Sequence, residues 1–236
     1  MTPKSWFRRQ QYHPGALAWA VNPFWITRKE LRRAIARYAP DLQGTLLDFG
    51  CGAKPYRELF SVSTYVGCDV PTGGHNHKGE SIDVFFDGRR LPFPDAAFDS
   101  VFASEVFEHV FDLHAVLGEI ARVVRPGGRV LATVPFVWHE HEEPFDFARY
   151  TSFGLASEFT RAGFRVLAQT RLGDTASAVA QLAAAGIAGA LPTAAILRLP
   201  LTALVVSPVL LLGAGASAVL RPARRLYLNN ILLAER

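Results

Sequence analysis

The segment Leu46–Gly52 most constrains how this chain folds, because it reads as an apolar strand that ends in an acid and opens into a glycine turn. Branched and apolar side chains are typical of buried strands. Gly50 and Gly52 would let the backbone approach a ligand without a Cβ in the way. A further acid, Asp69, follows 19 residues after Gly50, an offset that suits a carboxylate binding a ribose diol. The sequence therefore predicts a nucleoside-containing cofactor at the carboxyl edge of a parallel sheet.

The glycine turn departs from the dinucleotide-binding fingerprint G-x-G-x-x-G, because its six residues, 50–55, end in Pro55 instead of glycine. Proline suits the first turn of a helix, where its missing N–H costs nothing. This mismatch disfavours an NAD-dependent oxidoreductase, which is kept as an alternative.

Apolar runs that alternate with helical periodicity predict an α/β protein with a Rossmann-like, doubly wound, seven-stranded sheet and an apolar helical insert before the last strand. The predicted strands are 45–49, 65–69, 83–87, 98–103, 129–135, 165–171 and 227–234. The predicted helices of the core are 55–60, 112–124 and 152–162.

The chain divides into four predicted segments. They are an N-terminal aromatic and basic arm with a helix (1–40), the cofactor-binding core (41–174), an apolar helical hairpin (175–222) and the final strand (223–236). Thr27 is the predicted N-cap of the helix in the arm, with Glu30 three residues later. The arm is interpreted as a flap packed on the core, with a cofactor lid or a membrane-surface contact as alternatives.

The insert is the most unusual part of the sequence, because Thr175–Leu220 contains a single charge, Arg198. Each half is long enough to span a bilayer, which takes about 20 residues. If the last strand rejoins the sheet, the insert crosses a membrane twice or not at all, so a shallow hairpin in one leaflet is predicted. Arg221, Arg224 and Arg225, which follow the insert, suit a cytoplasmic face. The alternative is a soluble helical pair packed on the core or on a second subunit.

Composition limits the function classes. The chain has 236 residues and a formal net charge of +4. This excess is modest, and the N-terminal arm and the C-terminal arginine cluster contribute much of it, whereas a nucleic-acid-binding face would carry longer basic clusters interleaved with exposed aromatic residues. The two cysteines, Cys51 and Cys68, are interpreted as free core thiols in a reducing, cytoplasmic compartment. No secretory signal is recognised, because the apolar run 16–21 is too short.

An ordered set of segments between Leu46 and Phe164 resembles the class I S-adenosylmethionine-dependent methyltransferases, closest to the group labelled methyltransferase type 11. The matching segments are, in order, 47–52, 65–69, 87, 91–99, 105–110 and 119–128. The resemblance implies S-adenosyl-L-methionine as cofactor. It implies that the cofactor contacts Asp48, Gly50, Cys51, Gly52, Asp69, Asp87, Gly88 and Ser104.

Individual roles follow from that resemblance. Asp48 would hold the cofactor's ammonium, Asp69 the ribose hydroxyls, and Asp87 with the Gly88 backbone the adenine amino group. Lys54 stands where the family's G-x-G-x-G form has its third glycine, and would either pair with the cofactor's carboxylate or be solvated.

Glu105, Glu108 and His109 form an E-x-x-E-H cluster that is similar to the divalent-metal cluster of the ubiquinone-biosynthesis O-methyltransferases. A metal there would ease deprotonation of an acceptor hydroxyl. Without metal, Glu108 and His109 would shape the floor of the active site as catalytic residues.

The polar run 139–151 is similar to a segment of methyltransferases from cell-surface glycan gene neighbourhoods, which implies acceptor recognition. His139 or His141 would be the general base. The residues predicted to bind the acceptor are Glu143, Asp146, Arg149 and Tyr150. The alternative makes Asp146 and Arg149 a salt bridge and Thr151 a helix cap.

Together these observations predict a cytoplasmic, membrane-associated enzyme, peripheral or monotopic on the inner face of the membrane. It would methylate a small-molecule, glycan or lipid-linked acceptor, with O-methylation by in-line displacement as the first expectation. A non-catalytic membrane scaffold that retains the cofactor fold is the alternative.

Overall fold

The computed structural model describes residues 3–71, 80–220 and 223–236. The seven strands are β1 (Thr45–Phe49), β2 (Thr64–Asp69), β3 (Val84–Phe85), β4 (Phe98–Ser104), β5 (Val124–Pro135), β6 (Arg165–Leu172) and β7 (Asn229–Glu235). The α-helices are α1 (Pro3–Tyr12), α2 (Trp25–Tyr38), α3 (Leu113–Val123), α4 (Ser152–Arg161), α5 (Thr175–Ala190), α6 (Ala195–Leu201) and α7 (Ser207–Val219). A π-helical turn, Thr202–Val206, joins α6 to α7.

All seven strands form one sheet in the order β3-β2-β1-β4-β5-β7-β6. The pairs β1–β2, β1–β4, β2–β3 and β4–β5 are parallel. The chain order reverses between β1 and β4, so the sheet is doubly wound, and ligands bind such sheets at this switch point. The predicted fold class is confirmed, including the helical insert before the last strand.

Contacts divide the chain into two compact units. The sheet unit comprises Ile35–Thr170 and Asn230–Arg236, and the helical unit comprises Met1–Ala34 and Arg171–Asn229. In the sheet unit, Leu47 and Phe49 of β1 are buried in a core that includes Phe107 and Phe159. The helical unit has its own core, in which the small side chains of α5 pack with residues such as Val206 and Leu210. The predicted boundaries at 40, 174 and 222 stay a prediction.

Several predicted boundaries differ from the structure. The helix of the N-terminal arm begins at Trp25, so the prediction of Thr27 as its N-cap is wrong. Thr27 is buried inside the first turn, and its N–H donates to Gln181 Oε1 at 3.2 Å. That side chain from α5 therefore satisfies an N–H that the start of a helix leaves without a partner.

Two predicted elements are shorter than expected. The predicted helix 55–60 is a single 3₁₀ turn, Arg57–Leu59. The predicted strand 83–87 has two residues, Val84 and Phe85, which pair with Cys68 and Asp69. Conversely, β5 begins at Val124, earlier than the predicted 129.

Candidate active site

The functional residues converge because the strand register brings three carboxyl ends to one edge of the sheet. Phe49 of β1 lies beside Ala103 of β4, and Ser104 lies beside Thr133 of β5. The Ser104 and Thr133 hydroxyls are hydrogen-bonded at 2.8 Å. The segments that follow β1, β4 and β5 therefore leave the sheet side by side.

The glycine turn, residues 50–54, is held by backbone hydrogen bonds. The N–H groups of Gly50 and Cys51 both donate to Cys68 O, at 2.9 and 3.1 Å. The Gly52 N–H donates to Asp69 Oδ2 at 2.8 Å. The turn is thereby fixed to the tip of β2.

The two glycines have different reasons for lacking a side chain. A Cβ on Gly50 would lie 2.0 Å from Cγ2 of Val106, so Val106 fills the space above it. At Gly52, with a φ of 44°, the nearest atom to such a Cβ is Glu80 Oε1 at 4.0 Å. Close approach of a ligand to the backbone is therefore possible at Gly52, whereas Gly50 serves packing in this structure.

Asp69 connects the glycine turn to the next segment. Its Oδ1 accepts from the Val70 N–H at 2.8 Å while its Oδ2 accepts from Gly52. The side chain is half-buried at the sheet edge. Each carboxylate oxygen accepts two hydrogen bonds, so Asp69 retains acceptor capacity for the hydroxyls of a ribose.

Asp48 is buried beneath the turn, with only 3% of its surface exposed. Its Oδ2 accepts a hydrogen bond from the Tyr65 hydroxyl at 2.6 Å. Burial raises the pKa of Asp48 to about 7, although the Tyr65 hydrogen bond and the charge of Lys54 act in the opposite direction. Sequence reasoning missed Tyr65. Its position two residues before Gly67, which lies beside Asp48 in the register, was the available signal.

Lys54 has a structural partner that the sequence did not indicate. Its Nζ lies 2.6 Å from Asp83 Oδ2, which also accepts the Gly67 N–H at 2.6 Å. This ion pair was not among the two expectations for Lys54, and pairing of Lys54 with the cofactor's carboxylate stays a prediction. Although burial raises the pKa of Asp83, the hydrogen bonds from Lys54 and Gly67 outweigh burial and hold that pKa below its usual value.

Asp87 begins a tight turn after β3. Its Oδ1 accepts the N–H groups of Arg89 and Arg90 at 2.9 and 3.0 Å. These bonds hold the pKa of Asp87 below its usual value, and Gly88 follows with a φ of 78°. Because β3, β2 and β1 are neighbours, Asp87, Asp69 and Asp48 stand at the tips of three adjacent strands.

The segment after β5, residues 136–151, is organised around Asp146, and is called the acceptor loop below. The carboxylate of Asp146 receives both terminal nitrogens of Arg149, at 2.5 and 2.6 Å. Its Oδ2 also accepts the His141 N–H at 2.9 Å and lies 3.1 Å from His141 Nδ1. The Arg149 hydrogen bonds hold the pKa of Asp146 well below its usual range. The expected salt bridge is therefore present, and Thr151 caps α4 by accepting the Gly154 N–H at 3.0 Å.

His109 reaches the acceptor loop from the segment after β4. Its Nδ1 lies 2.8 Å from Phe145 O. A carbonyl only accepts, so Nδ1 is assigned a proton. Nε2 lies 3.9 Å from Glu108 Oε1 and 3.8 Å from Glu142 Oε2. The rings of His109 and His141 are 4.8 Å apart.

Glu108 is the most buried charged residue of this region, with 1% exposed. Its backbone carbonyl accepts the N–H groups of Phe147 and Ala148, which fastens the acceptor loop to the segment after β4. Burial, and then the charge of Glu105, raise the pKa of Glu108 well above its usual value. Within the described residues, its Oε2 has no hydrogen-bond partner.

The ligand atoms that converge differ from the predicted metal set. Within the part of the chain that the structure describes, Glu108, His109 and His141 place one ligand atom each within 4.8 Å of one another. Glu105 is outside this group and follows β4 with a φ of 54°. His141 takes its place because the acceptor loop folds back over the segment after β4.

Three other predicted residues of the acceptor loop, His139, Glu143 and Tyr150, are outside this group of ligand atoms. The His139 ring packs 4.9 Å from Trp138 and is exposed, while its carbonyl accepts from Arg149 Nη2 at 2.9 Å. Glu143 is exposed. The Tyr150 carbonyl accepts from Asn230 Nδ2 at 2.8 Å, which ties the end of the loop to β7. The predicted binding roles of Glu143 and Tyr150 stay predictions.

Both cysteines are free and buried, as expected. Burial raises the pKa of each thiol. Cys51 and Cys68 are therefore neutral thiols at the tips of β1 and β2.

Comparison with known proteins agrees with this geometry. Residues 47–132 match the model of a family described as a methyltransferase domain. The chain is 48% identical over 98 residues to the 27-O-demethylrifamycin SV methyltransferase of Amycolatopsis mediterranei, covering 36% of each chain. It is 38% identical over 134 residues to the ubiquinone biosynthesis O-methyltransferase of a Bradyrhizobium species, covering 50% of this chain and 53% of the relative. The chain thus spans less than two thirds of either relative.

A solved S-adenosylmethionine-dependent methyltransferase from Mesorhizobium loti superposes with a TM-score of 0.52 at 17% identity. The alignment covers 91% of this chain and 98% of that one. At this identity the likeness concerns the fold alone.

Proposed function

Because the chain carries a methyltransferase domain of the class I, S-adenosylmethionine-dependent family, we propose that the protein transfers a methyl group from S-adenosyl-L-methionine to an oxygen of an apolar small-molecule or lipid-linked acceptor. One observation carries the proposal. Three aspartates, Asp48, Asp69 and Asp87, stand at the tips of three adjacent strands around a glycine turn that is open at Gly52.

The residues present fit the cofactor. Asp69 has acceptor capacity for the ribose diol, and Asp87 with Gly88 would face the adenine. The buried Asp48 becomes an anion near neutral pH, which suits an ammonium group above it. The role of the cofactor is to supply a sulfonium-bound methyl group with a neutral leaving group. The chain's own residues then align the acceptor and remove its proton.

His141 is the proposed general base. Asp146 orients it through Nδ1 at 3.1 Å and through its backbone N–H, the arrangement by which a carboxylate fixes the tautomer of a catalytic imidazole. Nε2 is then the proton acceptor for a hydroxyl. Among the described residues, no carboxylate contacts the His139 ring, which packs on Trp138. The position of Asp146 therefore supports His141, of the two predicted candidates, as the base.

The acceptor class is inferred from exposed aromatic rings beside the cluster. Phe111 is 86% exposed and Phe147 is 44% exposed, and their rings are 5.4 Å apart. The Phe147 backbone N–H donates a hydrogen bond to Glu108 O. Exposed aromatic surface next to a polar centre favours a ligand with an apolar body and one reactive polar group. The relatives named as O-methyltransferases support oxygen as the methylated atom.

Calorimetry and labelled methyl transfer test the proposal. The folded protein should bind S-adenosyl-L-methionine, and Asp69→Asn should weaken binding at least tenfold, because a charged acceptor is lost. With isotopically labelled donor and a cell extract, the product should carry the label on oxygen. His141→Asn should lower kcat about 100-fold, while the matched control His139→Asn should retain it.

Two results would redirect the proposal. Tight cofactor binding without turnover on any extract would favour a non-catalytic scaffold. Absence of S-adenosyl-L-methionine binding by protein shown to be folded would refute the assignment of the cofactor site.

A divalent cation is a second way to handle the acceptor hydroxyl, favoured by the convergence of Glu108, His109 and His141. These are nitrogen and oxygen ligands that Zn²⁺ and related ions accept. In that case His141 would be a ligand instead of a base. Dialysis against a chelator followed by activity and metal analysis separates the two: loss of activity restored by a divalent ion supports the metal, and unchanged activity supports the base.

A further inference from the structure

The helices α5, α6 and α7 of the helical unit have the reverse of the usual polarity of a soluble protein. Every exposed residue of α5 and of the run Ala195–Val219 is nonpolar. The buried residues, in contrast, include the polar side chains of Ser177, Gln181, Thr202 and Ser207. Those polar groups are satisfied internally, for example by the Ser207 hydroxyl donating to Trp19 O at 2.8 Å. Helices that place apolar groups outward and polar groups inward are adapted to an apolar surrounding.

The outward apolar groups form a continuous stripe. Its members occur in pairs spaced by seven or eight residues, which places them on one side of a helix. These are Ile196, Leu197, Leu204, Val205, Leu211, Leu212, Val219 and Leu220, each between 41% and 85% exposed. A π-helical turn, Thr202–Val206, lies between α6 and α7 within this run. At about 1.5 Å per residue, the 25 residues of Ala195–Val219 give this apolar stripe a length of about 37 Å.

Charge is distributed very unequally between the two units. The helical unit contains 12 lysines and arginines and 2 acidic residues, which gives a net charge of +10. The sheet unit contains 13 lysines and arginines and 19 acidic residues, which gives a net charge of −6. Arg224 and Arg225, which follow α7, are both exposed. A cationic unit with an apolar face is complementary to a bilayer of anionic lipid. The same charge disfavours pairing of two copies through this unit, because like charges repel.

The ends of the helical hairpin limit how deeply it enters. The Thr175 N–H and hydroxyl both donate to Ala223 O, at 3.0 and 2.7 Å. The Ser217 hydroxyl donates to Asp174 Oδ1 at 2.7 Å. The start of α5 and the end of α7 are therefore tied together at one base. The 16 residues of α5 extend about 24 Å, less than the hydrocarbon thickness of about 30 Å.

From these observations we infer that the helical unit docks on an anionic phospholipid bilayer. The apolar stripe lies among the acyl chains of one leaflet, while Arg224 and Arg225 contact the headgroups. An 18-residue stretch within the run Ala195–Val219 has a mean hydropathy of 2.1, and the run is long enough to cross a membrane, but the tied base returns both ends of the hairpin to one side. The contact is therefore monotopic, and it does not depend on the catalytic chemistry proposed above.

Vesicle flotation of the full chain tests this inference. The protein should float with vesicles of phosphatidylcholine and phosphatidylglycerol, and less with phosphatidylcholine alone. Replacing three stripe residues together, Leu204→Gln, Leu212→Gln and Val219→Gln, should weaken binding at least 100-fold, since each buried aliphatic side chain contributes about tenfold or more. Phe153→Gln in α4 is the matched control, because Phe153 is 78% exposed in the sheet unit; it should bind like wild type.

The charge contribution is tested separately. The double variant Arg224→Gln, Arg225→Gln should lose about fivefold in affinity per arginine for the anionic vesicles and little for the neutral ones. S-Adenosyl-L-methionine binding should be unchanged in all these variants, so failure here is distinguishable from failure of the proposed function.

Three results would overturn the inference. The first is wild-type protein that remains unbound with both kinds of vesicle, and the second is a stripe variant that binds as tightly as wild type. Sedimentation showing a lipid-free dimer that the stripe variant converts to monomer would instead identify a second copy as the occupant of the stripe.

Discussion

Asp48 gives the sharpest test of the physical argument, because its burial should make folding stability depend on pH. In an unfolded chain this carboxyl has a pKa near 4, and burial raises its pKa to about 7 in the folded protein. Between these two pKa values, the Asp48 carboxyl therefore keeps its proton in the folded protein and releases it in the unfolded chain. Stability from this group is fully present below about pH 4 and is lost as the pH rises to about 7.

The magnitude follows from the displacement of the pKa. At about 1.4 kcal/mol per pH unit, about three units give an upper bound of about 4 kcal/mol. Asp48→Asn removes the titration and keeps an oxygen that accepts from the Tyr65 hydroxyl. The free energy of unfolding of the variant minus that of wild type should therefore increase between pH 4 and pH 7, by up to this amount, and level off above pH 7.

Urea unfolding followed by circular dichroism, at several pH values from 4.5 to about 8, measures this difference. Tyr65→Phe is the informative companion, because it removes the hydrogen bond that favours the anion. In that variant the loss of stability should extend to a higher pH than in wild type. A difference between Asp48→Asn and wild type that stays constant with pH would refute the reasoning.

The remaining predictions concern Gly50, Gly127, Lys54 and the binding of the cofactor. Gly50→Ala should destabilise the fold by about 2–3 kcal/mol by overpacking against Val106, and Val106→Ala in the same chain should recover part of that loss in urea unfolding. Gly127→Ala, which has a φ of 78° and no atom within 4 Å of the added Cβ, should cost only the backbone strain of about 1 kcal/mol. Lys54→Gly should be more stable than Lys54→Ala by about 1 kcal/mol, because both lose the Asp83 ion pair and only glycine relaxes the positive φ. If the cofactor's ammonium lies above Asp48, binding near pH 6 should release a proton, measured by calorimetry in buffers of different ionisation enthalpy.

The doubly wound sheet and the tips of β1 and β2 were predictable because each depends on a pattern of apolar runs and acids in the sequence. Apolar runs of strand length ended in Asp48 and Asp69, and parallel strands bring such ends to one edge. The wrong boundaries have non-local causes. The start of α2 depends on Gln181, which is 154 residues away from Thr27 in sequence, and no local cap signal reveals such a partner.

The candidate site divides in the same way. Asp146 and Arg149 are three residues apart and their pairing was an expectation from sequence, as was the cap at Thr151. The contact of His141 with the segment after β4 was not expected from the sequence, because it requires the acceptor loop to fold back onto Glu108. The ion pair of Lys54 was not predictable for the same reason. Its partner, Asp83, lies 29 residues away in sequence, and the glycine turn itself does not reveal such a partner.

The net charge of +4 was equally misleading, because an average over the chain hides opposite charges in its two units. At low ionic strength, near 0.01 M, the Debye length of about 30 Å lets an anionic surface interact with the whole protein, including the acidic sheet unit. At 0.15 M the Debye length falls to about 8 Å, and only cations close to the surface contribute. An attraction that depended on the net charge of the whole chain would be weak at low ionic strength and would vanish at physiological salt. Attraction through the helical unit should persist there, because its +10 charge is concentrated in the unit that carries the apolar stripe.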